Sequence, residues 1–233
     1  MNAFRAGCVR CYVEILHVFK KIFKALGLLS ILDRYSQKNR LAHFTRALFA
    51  IHDLDDMLLL DVPWWTYPAI KEVAAFLARR RNPTVFEYGS GASTLWLAKR
   101  AARVLSVEHD PKWYTKVLNA SSNFSNIELM QKHPDDVFKD GYLSERLPGK
   151  SFEQYVNAIH LTQQRFDLII IDGRARVACL KHCTQHLKPG GLIVLDNSNR
   201  KRYQHALRTY HVRRLKGWIP SSPWPGETAI ITL

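Results

Sequence analysis

Thr84-Val85-Phe86-Glu87-Tyr88-Gly89-Ser90-Gly91-Ala92-Ser93-Thr94 decides how the rest of the chain is read. It opens with a short apolar, β-favouring run and passes into a glycine-broken turn. An alanine- and leucine-rich segment, residues 95–102, follows. Strand, tight loop and helix start, in that order, are how open α/β sheets build nucleotide sites. A second strand over 104–107 ends in Glu108, nineteen positions after Gly89. An acid about 20 residues beyond the glycine turn is where such folds hold a ribose diol. A strict dinucleotide fingerprint wants glycine or alanine at position 94. Thr94 stands there instead, which argues against a nicotinamide or flavin enzyme.

Outward from this stretch the pattern alternates. Residues 69–80 precede it as an amphipathic helix, and 112–120 read as a helix with Pro111 suited to its first turn. A third strand is expected over 127–131, an irregular segment over 132–150 and a helix over 151–165. Phe166-Asp167-Leu168-Ile169-Ile170-Ile171-Asp172-Gly173 is a continuous apolar run of the kind buried parallel strands show. A helix over 177–187 should then be closed by a Lys188-Pro189-Gly190-Gly191 turn, followed by a fifth strand over 192–197. A helix over 203–210 and strands over 212–215 and 228–233 complete the chain. The expected fold is α/β and doubly wound, Rossmann-like. Its seven-stranded, mostly parallel sheet has an antiparallel last strand, and an N-terminal helical extension precedes it. The division expected is 1–61 for the extension and 62–233 for the domain.

The formal net charge of +14 is unevenly placed. Residues 1–50 hold nine Lys/Arg against Glu14 and Asp33, and residues 197–226 hold seven and no acid, whereas the segment between is near neutral. Basic flanks suit an anionic membrane, a nucleic acid or an acidic substrate, or are solvated faces. In the first helix Ile15, Phe19, Ile22, Phe23 and Leu26 share one face, with His17, Lys20, Lys21 and Lys24 on the other. Charges interrupt any run near the roughly 20 apolar residues of a membrane span. Two readings stay open: peripheral membrane contact through residues 1–32, or packing of the apolar face on the domain. The cysteines form two close pairs, Cys8/Cys11 and Cys179/Cys183, and reduced thiols explain them better than zinc.

In an open parallel sheet ligands sit beyond the carboxyl ends of the strands. The polar residues there are Glu87 to Ser93, Glu108 to Asp110, Asp172 to Arg176 and Asp196 to Arg200. Glu87-x-Gly89-x-Gly91, Glu108, the strand ending in Asp172 and the Lys188-Pro189-Gly190-Gly191 segment together resemble the successive motifs of class I S-adenosylmethionine-dependent methyltransferases. The resemblance covers roughly residues 62–233. It implies that Glu87, Gly89, Ser90 and Gly91 cradle the methionine and ribose portion of S-adenosylmethionine and that Ser93 and Thr94 cap the next helix. Glu108 would accept from the ribose hydroxyls and Asp172 would stand beside the transfer path. An acid against the adenine amine is expected from Asp135 or Asp136. Catechol-type O-methyltransferases, similar in fold, hold Mg2+ at strand ends where this chain has Asp172, Asp196 and Asn197, although their nearby lysine is absent here.

Methyl transfer is an in-line displacement that needs alignment and exclusion of water. Asp172, Asp196 and His109 are the candidate bases, with Asp172 and Asp196 named as the catalytic pair. Arg174, Arg176, Arg200, Lys201 and Arg202 either receive an anionic acceptor or are solvated surface. Trp64, Trp65, Tyr67, Trp218 and Trp224 either wall the acceptor pocket or belong to the core. The leading expectation is methyl transfer to a small-molecule or lipid-linked acceptor, in the cytoplasm or at the inner face of a membrane. An RNA methyltransferase using the basic flanks and a non-catalytic S-adenosylmethionine-binding protein are the alternatives.

Overall fold

The apolar runs that dominate the sequence become adjacent strands of one sheet. The structure, a computed structural model, describes residues 3–51, 53–144 and 147–233, with side chains from residue 14 onward. Four helices come first: α1 (Ala3–Ala25), α2 (Leu28–Ser36), α3 (Arg40–Leu48) and α4 (Leu54–Leu60). Then follow α5 (Tyr67–Ala78), β1 (Thr84–Tyr88), α6 (Ala92–Ala98), β2 (Arg103–Glu108), α7 (Pro111–Ala120) and β3 (Ile127–Gln131). The second half holds α8 (Glu153–Leu161), β4 (Phe166–Ile171), α9 (Arg176–Cys183), β5 (Leu187–Asp196), α10 (Lys201–Leu207), β6 (His211–Trp218) and β7 (Pro225–Thr232). The sheet order is β3-β2-β1-β4-β5-β7-β6. Strands β1 to β5 run parallel, and β7 lies antiparallel between β5 and β6. This is the doubly wound sheet that the alternation predicts.

Burial on both faces explains the unbroken apolar runs. Successive side chains of a strand point to opposite faces. Ile169 and Ile171 therefore join Phe86, Tyr88, Tyr155 and Cys179 in one core cluster. Leu168 and Ile170 join Val85, Val194, Val73 and Trp96 in the other. Each such side chain, fully buried, contributes about 1.5–3 kcal/mol. Local signals set the helix starts: Asp110 accepts from Trp113 N at 2.9 Å at the head of α7, with Pro111 in the first turn.

Two expectations change. Residues 188–191 are not a turn closing a helix over 177–187. Helix α9 ends at Cys183, a 3-10 turn spans Thr184–His186, and β5 starts at Leu187. Pairing with β4 jumps from Phe166↔Leu187 to Leu168↔Leu192, so residues 188–191 bulge out opposite Asp167. The Asp167 carboxylate anchors the bulge by accepting from Lys188 Nζ at 2.8 Å and from Thr84 N at 2.9 Å. A Cβ on Gly191 would meet Asp167 O at 2.9 Å, which accounts for the glycine.

Position 61 is also no boundary in the packing. Ala47, Ala50, Met57 and Leu60 form one cluster with Val62, against Ile70 and Ala92. Leu54 packs with Leu95 of α6 and Val117 of α7. Buried Arg46 ties α2 to α4 by contacting Asp33 at 2.6 Å and Asp56 at 2.7 Å. Lys20 of α1 reaches Asp53 and Asp56, each at 2.6 Å. Phe23 stacks near Phe49, with ring centroids 5.1 Å apart. The rest of the α1 apolar face stays in solvent: Ile15, Phe19 and Ile22 are exposed, as is Leu26 in the turn after it. Cys179 and Cys183 are buried and free, whereas the side chains of Cys8 and Cys11 lie outside the described residues.

Candidate functional site

Strand order reverses between β1 and β4, and there a backbone contact opens the site. Gly89 has φ +97°, and a Cβ on it would meet Gly173 Cα at 2.7 Å. A Cβ on Gly173 would meet the Tyr155 hydroxyl at 1.9 Å. The chain therefore leaves β1 and β4 with no side chain between the two turns. Beside them lies a cavity of about 490 Å3, within the range of small-molecule sites. Gly89, Ser90, Gly91, Ser93, Glu108, Asp172, Asp196 and Asn197 all line it.

Glu87, expected in the cofactor cradle, lies one layer below that wall. Its carboxylate is fully buried and accepts from Ser93 Oγ and Thr94 Oγ1 at 2.5 Å each and from Ser106 Oγ at 2.8 Å. Thr94 Oγ1 in turn accepts from Gly91 N at 2.9 Å. The residue that breaks the dinucleotide pattern is thus the clip that holds the glycine loop on α6. Burial pushes the Glu87 carboxyl up to about 7, against the pull of its three hydroxyl donors.

Glu108 ends β2 in the cavity wall. Its Oε2 accepts from Ser90 N at 3.1 Å, and Oε1 accepts from the N–H groups of His109 and Asp110 at 2.8 and 2.9 Å. His109 Nδ1 lies 2.6 Å from Oε1, and Arg174 Nε donates to His109 Nε2 at 3.0 Å. His109 Nε2 is therefore occupied by Arg174 rather than turned to the cavity.

Asp172 and Asp196 face each other across Arg176. This buried guanidinium donates to Asp172 Oδ1 at 2.6 Å, and to the carbonyls of Asp172, Gly173 and Asp196 at 2.7, 3.1 and 2.5 Å. Its Nη1 stands 3.9 Å from Asp196 Oδ2. Arg176, expected at an acceptor surface, is instead the clamp between the ends of β4 and β5. The same contact decides the magnesium question. A cationic fork already lies between the two carboxylates. Asp196 also accepts from Thr228 Oγ1 at 2.9 Å and Asn197 Nδ2 at 2.5 Å, and Asn197 Oδ1 accepts from Arg200. Asp172, Asp196 and Asn197 therefore do not fit a divalent cation, and no group of metal-binding side chains occurs among the described residues. Burial and the neighbouring Asp172 push the Asp196 carboxyl up to about 7.

Other expected residues fall elsewhere. Asp135 caps α8, accepting from Ser151 Oγ and from the N–H groups of Glu153 and Gln154, and does not line the cavity. Trp64 lines the cavity, but Trp65 is core against Trp96, and Trp218 and Trp224 are exposed. Four wall residues were not anticipated: Leu54, Met57, Trp113 and Ile219. Trp113 carries a local signal, since one turn into a helix capped by Asp110 it faces back on the glycine loop, donating to Ser90 O at 2.7 Å. Leu54, Met57 and Ile219 arrive from distant segments and carry none.

Residues 86–198 match the family model described as a methyltransferase domain. That segment of the chain is a methyltransferase domain. No curated protein sequence matches it. In fold the methyltransferase is similar to a Clostridium thermocellum protein provisionally named an rRNA-methylase (TM-score 0.52, 13% identity, 73% of this chain and 98% of that one). It also aligns with a methyltransferase-like protein of Silicibacter pomeroyi (TM-score 0.47, 22%, 71% and 86%). A third is a precorrin-6y C5,15-methyltransferase of Geobacter metallireducens (TM-score 0.49, 13%, 70% and 87%).

The Glu87 carboxyl gives the site a pH signature. Its folded pKa of about 7 exceeds the ordinary 4.5, so the folded state favours the protonated form. That contribution is fully present below about pH 4.5 and is lost as pH rises through about 7. Between pH 5 and 8, wild-type stability should fall more steeply than that of Glu87→Gln, by on the order of 2–3 kcal/mol. Urea denaturation across that range reads it, and equal slopes would contradict the assignment.

Proposed function

We propose that the methyltransferase carries a methyl group from S-adenosylmethionine to an oxygen of a small-molecule or lipid-linked acceptor. Glu108 takes the ribose hydroxyls. The backbone of Gly89, Ser90 and Gly91, with Ser93, runs along the ribose and methionine portion, and Asp172 faces its cationic end. Glu87 holds this loop from beneath as a positioning residue. S-adenosylmethionine brings an already activated methyl group, so the chain has to align the acceptor, exclude water and receive its proton. Asp196, which lines the cavity and whose carboxyl burial and Asp172 push upward, suits that last task.

The apolar part of the cavity wall carries this reading. Leu54 and Met57 from α4, with Trp64 and Ile219, line the cavity beside the acidic strand ends, a mixture that suits a small-molecule or lipid-linked acceptor. The basic flanks are also less available than their charge suggests. Arg213 pairs with Glu72 at 2.6 Å, Arg214 with Glu227 at 2.9 Å, and Arg46 and Lys20 with the aspartates around α4. Along β6, an edge strand, Arg213, Arg214 and Lys216 also oppose sheet-to-sheet association.

Tritium-labelled S-adenosylmethionine, incubated with the enzyme and separated cell fractions, should label the small-molecule or organic-extractable fraction. Label confined to ribonuclease-sensitive material, in a reaction falling steeply with salt, would establish the nucleic-acid reading instead.

The exposed stripe of α1 supports the lipid-linked form of the proposal. Ile15, Phe19, Ile22 and Leu26 stand in solvent beside exposed His17, Lys21 and Lys24, the arrangement of a helix lying in a bilayer interface. No helix among the described residues is long and apolar enough to cross a membrane. The protein should float with anionic vesicles and lose most of that binding in the Phe19→Glu/Ile22→Glu variant. Unchanged flotation of this variant would remove the membrane contact.

A further inference from the structure

Large apolar side chains stand in solvent on two parts of the molecule. One is the N-terminal helices. Beyond the α1 stripe, Leu28, Ile31 and Tyr35 are exposed along one face of α2, while Leu29 and Ser36 turn inward. The other is the end of the β6–β7 hairpin. Trp218 and Trp224 are 52% and 64% exposed there, and Trp224 immediately precedes Pro225, the partner of Trp218 on the last rung. Large apolar surfaces grouped in this way mark contact sites, and an indole suits one that is half apolar and half wet.

Both parts are fastened to one wall of the cavity. Lys20 of α1 reaches Asp53 and Asp56, the sequence neighbours of cavity-lining Leu54 and Met57. Asp33 of α2 is joined to Asp56 through buried Arg46. From the other side Ser221 Oγ donates to Met57 Sδ at 3.0 Å, and Trp218 lies on Phe44 of α3 with ring centroids 5.4 Å apart. Ile219, next after Trp218, lines the cavity. Leu54, Met57 and Ile219 are thus bordered by exposed apolar surface on both sides.

Charge identifies the occupant of that surface. Exposed Lys21, Lys24, Arg34, Lys38 and Arg40 make no ion pair among the described residues, in contrast to Lys20 and Arg46. A two-fold contact with a second copy would bring these cations against their own equivalents. An anionic bilayer attracts each of them, and tryptophan settles at the headgroup level.

We propose that the hairpin tryptophans and the α1–α2 face seat the enzyme on an anionic bilayer at two points, with the Leu54, Met57 and Ile219 wall of the cavity turned to the leaflet between them. Contact through α1 alone would leave the protein free to rotate about that helix; the second point fixes where the cavity faces. The acceptor is then an amphiphile drawn from the leaflet, its chain against this wall and its hydroxyl towards Asp172 and Asp196. The acceptor rests on the proposed function, whereas the two-point seat stands on the surface alone.

The probes are phosphatidylcholine vesicles with and without phosphatidylglycerol, some carrying brominated acyl chains that quench tryptophan emission on contact. Wild-type emission should be quenched by the anionic brominated vesicles. Trp218→Phe/Trp224→Phe should still float with them and lose most of that quenching. Trp218→Ser/Trp224→Ser and Arg34→Gln/Lys38→Gln should each weaken vesicle binding by on the order of tenfold. Unchanged S-adenosylhomocysteine affinity would show that these variants remain folded. Equal quenching in wild type and the phenylalanine variant, vesicle binding unchanged in the serine variant, or equal binding to vesicles without phosphatidylglycerol would overturn the seat. A wild-type dimer that ignores vesicles and that the serine variant converts to monomer would assign the face to a second copy instead. Failure of the wild type to bind S-adenosylhomocysteine, with quenching as expected, would overturn the proposed function and leave the seat standing.

Discussion

The buried Glu87 carboxylate organises the site. It sits under the turn where β1 gives way to α6 and takes three hydroxyl donors, two from α6 and one from β2. Those bonds fix the spacing between the first two strands and the loop above them. Burying a carboxyl without partners would be costly, and even with three donors its pKa rises to about 7. Glu108 repeats the device one strand over, holding Ser90 from the other side. The glycine loop is thus held by two acids, one beneath it and one in the cavity wall.

Charge is sorted at the strand ends in a way that suits methyl transfer. A sulfonium donor is cationic, and the cavity is lined by carboxylates. Arg176 lies between Asp172 and Asp196 and offsets part of the repulsion between them. Removing it would leave buried Asp196 facing half-buried Asp172 with no cation between them, which should destabilise the strand ends.

Fold and site were legible in the sequence to different degrees, for physical reasons. Strands buried on both faces advertise themselves, so β3 and β4 were readable almost to the residue and the order of elements was clear. The acids at 87, 108, 172 and 196 were visible because a parallel sheet exposes what ends its strands. Whether each faces the cavity or the layer below was not, since that depends on which hydroxyls the fold brings near: Glu87 differs from Glu108 and Asp196 through Ser106, on another strand. The glycines at 190 and 191 signalled a break, but whether it was a turn or a bulge depended on Asp167. Leu54, Met57 and Ile219 reach the cavity only through tertiary packing, and nothing local marks them.

The pocket behind the 84–94 stretch should hold S-adenosylmethionine with Glu108 on its ribose. Calorimetric titration of S-adenosylhomocysteine into wild type and Glu108→Ala tests this most directly. Saturable one-to-one binding, weakened at least tenfold in the variant, is the predicted result. Absence of binding to the wild type, or equal affinity in the two proteins, would contradict it.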